Sequence, residues 1–333
     1  MFFVHPKIQL IRNPFLLLKA AIKPVNFELL NERLSRCFPN KQFVFTKMGR
    51  DAFELIVKEY NLKEGEIIMP AFICDTFYPT LKQYHIKPVF LDIDPDTFNI
   101  KLGDIERAIT PRTKAILINY TYGLPISLQN LHTNVLMIED LSHSFGAKIN
   151  HQYTGAQSDL AFLSLSKQFP TYKGGIAILP KGATGFAKNT LPKKFINLFS
   201  FSLKHFEQKL EKRIKTAKYF QGKLQELGFK TQKSQGNIFT YLTTLLPDDL
   251  KDKRYELFTS LKNQGVKCSR VWHQPIILNP KVQQDYLLDS SKFPNTINAA
   301  KKVLNFPLQN RYTEKHVDRM IETLKLVLDE IRA

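Results

Sequence analysis

Cysteine and glycine are scarce in this chain of 333 residues, which contains 3 of the former and 14 of the latter. Cys37, Cys74 and Cys268 lie far apart, so the sequence has neither a disulfide framework nor the paired spacing of a zinc site. We therefore predict reduced thiols, a cytoplasmic location and no metal site. The low glycine content and the lack of a repeat period exclude collagen-like and solenoid folds.

Long apolar runs are also missing, including at the N-terminus, where targeting segments usually lie. The longest clean apolar run there is Phe15–Leu18, followed by Lys19, whereas a membrane-spanning helix needs about 20 apolar residues. The order of basic, apolar and small-residue regions that marks a signal peptide is absent as well. Two interpretations of residues 1–24 stay open: a basic amphipathic segment lying on a membrane surface, or a cover for a neighbouring subunit.

Acidic residues are a third shortage, because 30 Asp and Glu stand against 48 Lys and Arg and leave a net charge of +18. This balance suggests an anionic partner: a nucleic acid, a membrane or a phosphorylated metabolite. Lys181–Lys233 holds thirteen Lys and Arg but three Glu, and so carries +10 of that charge. Much of this stretch is a predicted amphipathic helix, Ser202–Leu227, which Gly228 would close. No recognised nucleic-acid-binding module is present in the sequence, so we predict no nucleic-acid partner. A basic nucleic-acid-binding protein is the weakest of the alternatives. Peripheral contact with a membrane stays open.

Short β-rich runs alternate with helical stretches from about residue 43 to residue 180, which predicts an α/β fold. We expect a large domain with a mainly parallel sheet flanked by helices, and a smaller C-terminal α/β domain. The N-terminal segment and large domain would span residues 1–200, and a long linking helix and the small domain residues 201–333. The predicted strands of the sheet are Phe43–Thr46, Glu66–Met69, Lys87–Asp92, Ala115–Asn119, Val135–Glu139, Leu160–Ser164 and Ile176–Leu179. The later predicted elements are strand-like Asn237–Leu245 and Val266–Trp272, and helices Lys251–Gln264 and Glu314–Ile331.

Two polar motifs follow predicted strands, at the positions where parallel sheets bind ligands. The Gly49–Asp51 turn opens a helix, and such a start can hold a phosphate, although an ordinary turn also explains it. Glu139 and Asp140 end a strand, so Asp140 could hold a positive charge such as a protonated pyridine nitrogen. His143 follows three residues later, either as a ligand contact or as a histidine at a helix start.

A third motif, Ser164-x-x-Lys167, follows another predicted strand and precedes Gly174-Gly175. A lysine among apolar and hydroxyl neighbours can form a Schiff base with a carbonyl group. A serine nucleophile with the lysine as its base is the alternative, but the companion motifs of that chemistry are absent.

These motifs and their neighbours resemble, in order and spacing, successive sequence blocks of the DegT/StrS aminotransferases. Members of that family are fold-type-I enzymes that use pyridoxal 5'-phosphate (PLP) and are best known for aminating keto groups of nucleotide-linked sugars. The resemblance covers residues 40–180 and 264–325. It rests on Phe43–Thr46 with Gly49-Arg50, Ile67–Phe72, Pro88–Thr97, Ile109–Ile116, Tyr122–Pro125, Ile138–Asp140, Ser164–Lys167 with Gly174-Gly175, and Asn305–Leu308 with Thr313-Glu314.

The resemblance implies a PLP-dependent aminotransferase of fold type I. Lys167 would be the Schiff-base lysine and the base that moves the substrate proton, and Asp140 would pair with the pyridine nitrogen. Ser164 and the Gly49–Asp51 turn would hold the phosphate. Glutamate is the expected amino donor, a nucleotide-activated keto-sugar the expected acceptor, and a homodimer with shared active sites the expected assembly. The alternative is a membrane-surface PLP enzyme that acts on a lipid-linked or other keto substrate.

Some positions depart from the family pattern. The usual Ser-Gly-Thr phosphate turn reads Met48-Gly49-Arg50, which makes Arg50 a plausible replacement in the phosphate grip. His143 stands where the family has Gln, and Cys74 stands where it has the aromatic that stacks on PLP, so stacking would pass to Phe72 or His143 or be lost. The predicted cofactor-binding residues are Gly49, Arg50, Asp51, Phe72, Cys74, Asp140, His143, Ser164 and Lys167. The candidate substrate contacts are Tyr172, Arg270 and His273.

Overall fold

The computed structural model describes residues 14–156, 158–183 and 189–333. A seven-stranded sheet lies at its centre. The strands up to residue 180 are β1 (Lys41–Thr46), β2 (Glu66–Pro70), β3 (Lys87–Leu91), β4 (Thr113–Asn119), β5 (Leu136–Asp140), β6 (Lys148–Ile149), β7 (Gln152–Tyr153), β8 (Leu160–Ser164) and β9 (Gly175–Pro180). The order in the sheet is β1-β9-β8-β5-β4-β2-β3, and β6 pairs with β7 in a separate hairpin.

The run β8-β5-β4-β2-β3 is parallel throughout, while β9 is antiparallel to both β1 and β8. Successive residues of the central strands are buried on opposite faces; Ile67 packs into one hydrophobic cluster and Ile68 into the other. Burial on both faces explains why these strands read as continuous apolar runs in the sequence. All seven predicted strands are confirmed, each with ends within two residues of those predicted.

Helices cover both faces of this sheet, and further helices pack in the C-terminal part of the chain. They are α1 (Pro14–Ile22), α2 (Phe27–Cys37), α3 (Gly49–Glu59), α4 (Tyr78–Gln83), α5 (Leu102–Ala108), α6 (Leu165–Gln168), α7 (Lys193–Leu203), α8 (Phe206–Glu226), α9 (Arg254–Asn263), α10 (Pro280–Asp285), α11 (Pro294–Lys302) and α12 (Glu314–Arg332). Of the predicted N-terminal segment, residues 1–13 lie outside the described residues. Within the described part of the chain, no helix has the length and apolarity needed to cross a membrane.

A second, three-stranded antiparallel sheet follows in the chain, formed by β10 (Lys230–Thr231), β11 (Leu242–Leu245) and β12 (Val303–Phe306). Its core is shared with α8, α9 and α12, which contribute Phe220, Leu257 and Leu324 to one buried cluster. The predicted domain boundary after residue 200 falls inside α7, and a division into two domains at that point stays a prediction.

The predicted helix from Ser202 is wrong at its start, because α7 ends at Leu203 and α8 begins at Phe206. Leu203 and Phe206 pack against the same cluster, so the apolar spacing continues although the helix does not. The end is as predicted: α8 stops at Glu226, and Gly228 takes a left-handed conformation with φ of +82°.

Two strand predictions in the C-terminal part are also wrong. The strand expected from Asn237 is limited to β11, because Phe239 takes a left-handed turn and its N–H bonds to the Asn237 side chain. Val266–Trp272 touches β12 through a single bridge between Ser269 and Asn305 and then turns. The last two predicted helices are confirmed as α9 and α12. Helix α9 begins three residues later than predicted.

Candidate active site

The start of α3 and the end of β8 meet at the carboxyl edge of the large sheet. Gly49 lies so close to Ser164 that a Cβ atom added to it would be 2.6 Å from the Ser164 Cβ atom. A Cβ atom added to Gly175 would lie 2.3 Å from the Met48 carbonyl oxygen. These glycines let the first turn of α3 lie against Ser164. This arrangement can hold an anion.

Arg50 and Asp51 follow Gly49 in that turn. The Asp51 Oδ2 atom accepts a hydrogen bond of 3.0 Å from the Met48 N–H, so this carboxylate caps its own helix. Arg50 is more than half exposed, with its Nε atom 3.9 Å from Asp51 Oδ1. Arg50 therefore remains at the rim of the turn, while the Asp51 side chain is engaged in a structural role.

Strand β5 ends in two acids, which alternation along a strand directs to opposite faces of the sheet. Buried Glu139 accepts hydrogen bonds from the Tyr120 hydroxyl (2.6 Å) and the Gly155 N–H (2.8 Å). Asp140 accepts a hydrogen bond of 2.9 Å from the Ser142 N–H. Burial raises the pKa of Asp140 and outweighs the hydrogen bonds from Ser142 and the positive charge of Lys167, which lower it. A cationic ligand beside Asp140 would lower its pKa again and favour the ionised carboxylate.

Lys167 lies on α6, the single helical turn that follows β8. Strand β8 runs parallel to β5, with Phe162 in register with Asp140, and the Ser164 N–H donates to the Ser142 hydroxyl over 2.9 Å. The α6 turn therefore starts beside the segment that follows Asp140. The charge of Lys167 opposes the burial that raises the pKa of Asp140 and adds to the burial that lowers the pKa of His143. The structure thus brings the predicted lysine and the predicted aspartate together.

His143 lies in an aromatic cluster and is only 4% exposed. Its ring stacks on Trp272, with ring centroids 4.8 Å apart, and meets the edge of Tyr241 at 5.1 Å. The Tyr122 N–H donates to the His143 Nδ1 atom over 3.3 Å, which assigns the ring proton to Nε2. Burial, reinforced by the charge of Lys167, holds the pKa of His143 well below its usual value. The imidazole is therefore neutral and can donate through Nε2.

Phe72 and Cys74, two residues of the predicted stacking region, have different surroundings. Phe72 is fully buried, and its ring meets Trp272 at 5.6 Å and Tyr122 at 6.1 Å, edge to face in both cases. Phe72 therefore supports the cluster and has no face open to a ligand. Cys74 is half-buried, and it lies near enough to Tyr241 to raise the pKa of that phenol, although burial is the main cause of the rise.

The three predicted substrate residues are not gathered at one point. Tyr172 is 39% exposed and takes a left-handed conformation with φ of +58°. The Arg270 guanidinium lies over the Phe258 ring, 4.8 Å from its centroid. The His273 Nδ1 atom lies 2.7 Å from the Arg270 carbonyl oxygen. Trp272, between these two residues, is the side chain of this loop that reaches His143.

Sequence reasoning misses Trp272, Tyr122 and Asn119. Trp272 and Tyr122 are stacked at 5.3 Å, and both take left-handed conformations that bulky residues rarely adopt outside constrained sites. Asn119 ends β4 in register with Asp140, and its buried Oδ1 atom has no hydrogen-bond partner among the described residues. A polar residue at the end of a buried strand is a signal that could have identified Asn119.

Arg213 of α8 is a further residue that the sequence does not single out. Its Nη2 atom donates to Gln168 Oε1 and its Nε atom to the Ile238 carbonyl oxygen, both over 3.0 Å. Gln168 in turn donates to the Phe145 carbonyl oxygen over 3.3 Å. Arg213 thus connects the α6 turn, which carries Lys167, to two other segments.

The donor set at this edge fits PLP. Asp140 could pair with a ring nitrogen, Lys167 could bond to an aldehyde carbon, and the turn of Gly49 against Ser164 could hold a phosphate. The unpartnered Oδ1 atom of Asn119 is a further buried acceptor beside Asp140.

Comparisons with known proteins identify relatives of this chain. The model of the DegT/DnrJ/EryC1/StrS aminotransferase family matches residues 25–185 and 198–325. The chain is 26% identical over 311 residues to the UDP-2-acetamido-2-deoxy-3-oxo-D-glucuronate aminotransferase of Pseudomonas aeruginosa, covering 84% of each chain. It is 28% identical over 296 residues to the dTDP-4-amino-4,6-dideoxy-D-glucose transaminase of Shigella dysenteriae, covering 79% of each.

A solved structure, the GDP-4-keto-6-deoxy-D-mannose-3-dehydratase of E. coli with bound hydrated PLP, has the same fold with a TM-score of 0.80. It is 20% identical to this chain, and the match covers 93% of this chain and 96% of the other. This likeness confirms the predicted α/β fold with its mainly parallel sheet. The chain belongs to the DegT/DnrJ/EryC1/StrS aminotransferase family, which confirms the aminotransferase class and the PLP cofactor predicted from its sequence.

Proposed function

We propose that this protein transfers an amino group from glutamate to the keto group of a nucleotide-linked sugar, with Lys167 as the residue that bonds PLP. The observation that carries this proposal is the position of Lys167, on the turn directly after β8, whose parallel neighbour β5 ends in Asp140. PLP supplies a carbonyl group that exchanges amines and a ring that accepts the electron pair released at the substrate carbon.

Lys167 has two tasks in this proposal. Its amine anchors the cofactor covalently, and once an amino donor displaces it, the free amine moves a proton from the donor's α-carbon. Asp140 keeps the proton on the ring nitrogen, because its carboxylate favours a positive charge next to it. His143 is neutral and donates through Nε2, as the amide of the family's usual Gln could.

The phosphate is held by the turn at Gly49. The first amides of α3, the positive end of the helix dipole and the Ser164 hydroxyl provide the binding groups. Arg50 adds a cation at the rim, in place of the hydroxyl of the family's usual Thr. Asp51 contributes by fixing the start of α3 through its bond to Met48.

The acceptor is proposed from the relatives, two of which carry names of enzymes that aminate UDP- and dTDP-linked sugars. The presence of Lys167 favours amination over dehydration, since family dehydratases have His at this position. Tyr172, Arg270 and His273 remain proposed substrate contacts.

We also propose an oligomeric state and a cellular location for the enzyme. Likeness to the family supports a homodimer in which two subunits share each active site. The three unpaired thiols, Cys37, Cys74 and Cys268, support a reducing, cytoplasmic location.

Absorbance spectroscopy on the purified protein tests the role of Lys167. We expect added PLP to produce a visible absorbance band that Lys167→Ala removes. Lys173→Ala, which changes an exposed lysine on the following loop, serves as the matched control and should keep the band. A protein that takes up no PLP would overturn the proposal.

Turnover assays test the substrate class. With glutamate as donor, we expect a nucleotide-linked keto-sugar to be aminated and the free nucleoside diphosphate to compete with it. Equal turnover of unlinked keto-sugars, without competition by nucleotides, would contradict the acceptor and leave the role of Lys167 intact.

A further inference from the structure

We propose that the exposed side of α1 docks onto the surface of an anionic lipid bilayer. This surface, termed the α1 patch, consists of Phe15, Leu18 and Ile22 with Lys19 and Lys23 beside them. The proposal is independent of the chemistry at Lys167, because it concerns where the protein binds and not what it converts.

The apolar side chains of the α1 patch are exposed to an unusual degree. Phe15, Leu18 and Ile22 are 81%, 58% and 72% exposed, and their spacing places them on one side of the helix. Large apolar side chains that cluster on the protein surface mark a contact with another molecule or a membrane. The α1 patch is therefore a candidate binding surface.

The helix that carries the patch is attached to the body of the protein by its other side. Buried Ala20 packs on Leu198 of α7, next to Phe195 and Phe201. The Asn197 side chain donates hydrogen bonds to the carbonyl oxygens of Ala20 (2.9 Å) and Lys23 (2.7 Å). This attachment fixes Phe15, Leu18 and Ile22 in their outward orientation.

Charge favours an anionic lipid surface as the occupant. Residues 1–27 contain four Lys and Arg and no acid, and residues 160–206, which include α7, contain no acid either. Lys19 and Lys23 are exposed beside the apolar side chains, and Lys193 and Lys194 are exposed at the start of α7. A basic helix with exposed Phe and Leu residues inserts its apolar side at the bilayer surface and places its lysines among anionic headgroups.

A second copy of this chain is a poorer occupant. In a symmetric contact with the two-fold axis at the patch, Lys19 and Lys23 would lie near the same lysines of the other copy, and their like charges would repel. The family model also leaves residues 1–24 and 186–197 unmatched, so the sequence of α1 and the first turn of α7 is not the family pattern.

Vesicle sedimentation with the full-length protein tests the proposal. We expect binding to vesicles of phosphatidylcholine and phosphatidylglycerol, little binding to phosphatidylcholine alone, and release by salt. Phe15→Ser with Ile22→Ser should lower the partition coefficient by about tenfold or more, because both side chains lose apolar burial in the bilayer. Lys19→Gln with Lys23→Gln should weaken binding to the anionic vesicles specifically.

The matched control is Leu287→Ser with Leu326→Ser, which changes two other apolar side chains that are 92% and 66% exposed. This variant should bind vesicles as the unchanged protein does. Light scattering without lipid gives the molar mass of each variant. Absence of binding to anionic vesicles, equal loss in the control, or a lower mass for the Phe15→Ser and Ile22→Ser variant would overturn the proposal; the last result would make the patch a contact between copies.

Discussion

The imidazole of His143 stacks on the indole of Trp272, with planes 27° from parallel, and this contact joins the loop before α10 to the lysine site. Trp272 and Tyr122 have φ values of +63° and +58°. A strained backbone of this kind costs on the order of 1–3 kcal/mol per residue and persists where the surroundings hold it. The packing around His143 therefore stabilises two unfavourable conformations at the edge of the site.

A double-mutant cycle should reveal this coupling directly. We expect His143→Ala and Trp272→Ala each to lower the free energy of unfolding, and the two losses to be less than additive by about 0.5–1.5 kcal/mol, the worth of an aromatic stack. Chemical denaturation of the four proteins measures the coupling. Trp272→Phe keeps an aromatic ring and should retain part of it, whereas strictly additive losses would argue against the stack.

The neutral state of His143 should make stability depend on pH. Burial, with the charge of Lys167, lowers the pKa of His143 in the folded protein. Below the unfolded value of about 6.5, the unfolded chain binds a proton that the folded chain does not. This site should therefore remove up to about 1.4 kcal/mol of stability for each unit that the pH falls below about 6.5.

Comparison with His143→Gln isolates that contribution, since glutamine does not titrate. The difference in unfolding free energy between the two proteins should be constant above about pH 7.5 and should change steadily below about pH 6.5. His132→Gln, at an exposed histidine, is the control for the substitution itself. A constant difference for His143→Gln across the range would mean that the folded imidazole is protonated normally.

The strands of the sheet and the polar residues at its edge could be predicted from the sequence, because both depend on short local patterns. Buried parallel strands are continuous apolar runs, and the polar residue that ends each run, such as Asp140, marks the carboxyl edge. Ser164 ends β8 and Lys167 lies in the turn after it, so their placement at the edge required only that the strand be recognised. The close approach of Gly49 to Ser164 follows from the position of β9 between their strands and could not be found by spacing.

Contacts between residues that are distant in the sequence could not be predicted in this way. Trp272 reaches His143 through a loop whose apolar residues predicted a strand, and the left-handed turn at Trp272 leaves no pattern in the sequence. Arg213 belongs to a helix with many basic residues, and nothing in its spacing separates it from its exposed neighbours. An aspartate at this position of the sequence could cap the helix or contact a ligand, and only the structure shows that Asp51 caps the helix.

Arg213 should influence the site through Gln168. Its guanidinium spans Gln168 and the Ile238 carbonyl oxygen, and burial lowers its pKa to about 10. Arg213→Gln should lower the free energy of unfolding by about 1–3 kcal/mol, because two part-buried acceptors lose their donor. It should also shift the pH midpoint of the visible band of the PLP-loaded protein, since the turn that carries Lys167 is no longer held.

A lysine at this position separates charge from geometry. Arg213→Lys keeps the charge but cannot reach both acceptors with a planar fork, so it should recover only part of the stability. Lys212→Gln, at the exposed neighbour, should change neither the stability nor the band. An Arg213→Gln protein whose band titrates normally would limit Arg213 to a role in folding.

Alanine in place of Gly49 should damage the phosphate turn. The new Cβ atom would lie 2.6 Å from the Ser164 Cβ atom and 2.9 Å from its Cα atom, so either α3 or β8 must move. We expect a loss of about 1–3 kcal/mol in the free energy of unfolding, and a lower affinity for PLP measured by titration of the visible band.

Gly222→Ala is the matched control, because no atom lies within 4 Å of its added Cβ atom. Since Gly222 is inside α8, alanine there should raise the free energy of unfolding by about 0.5–1 kcal/mol. The same substitution would thus act in opposite directions at the two glycines, and a Gly49→Ala protein with unchanged PLP affinity would remove this turn from the phosphate site.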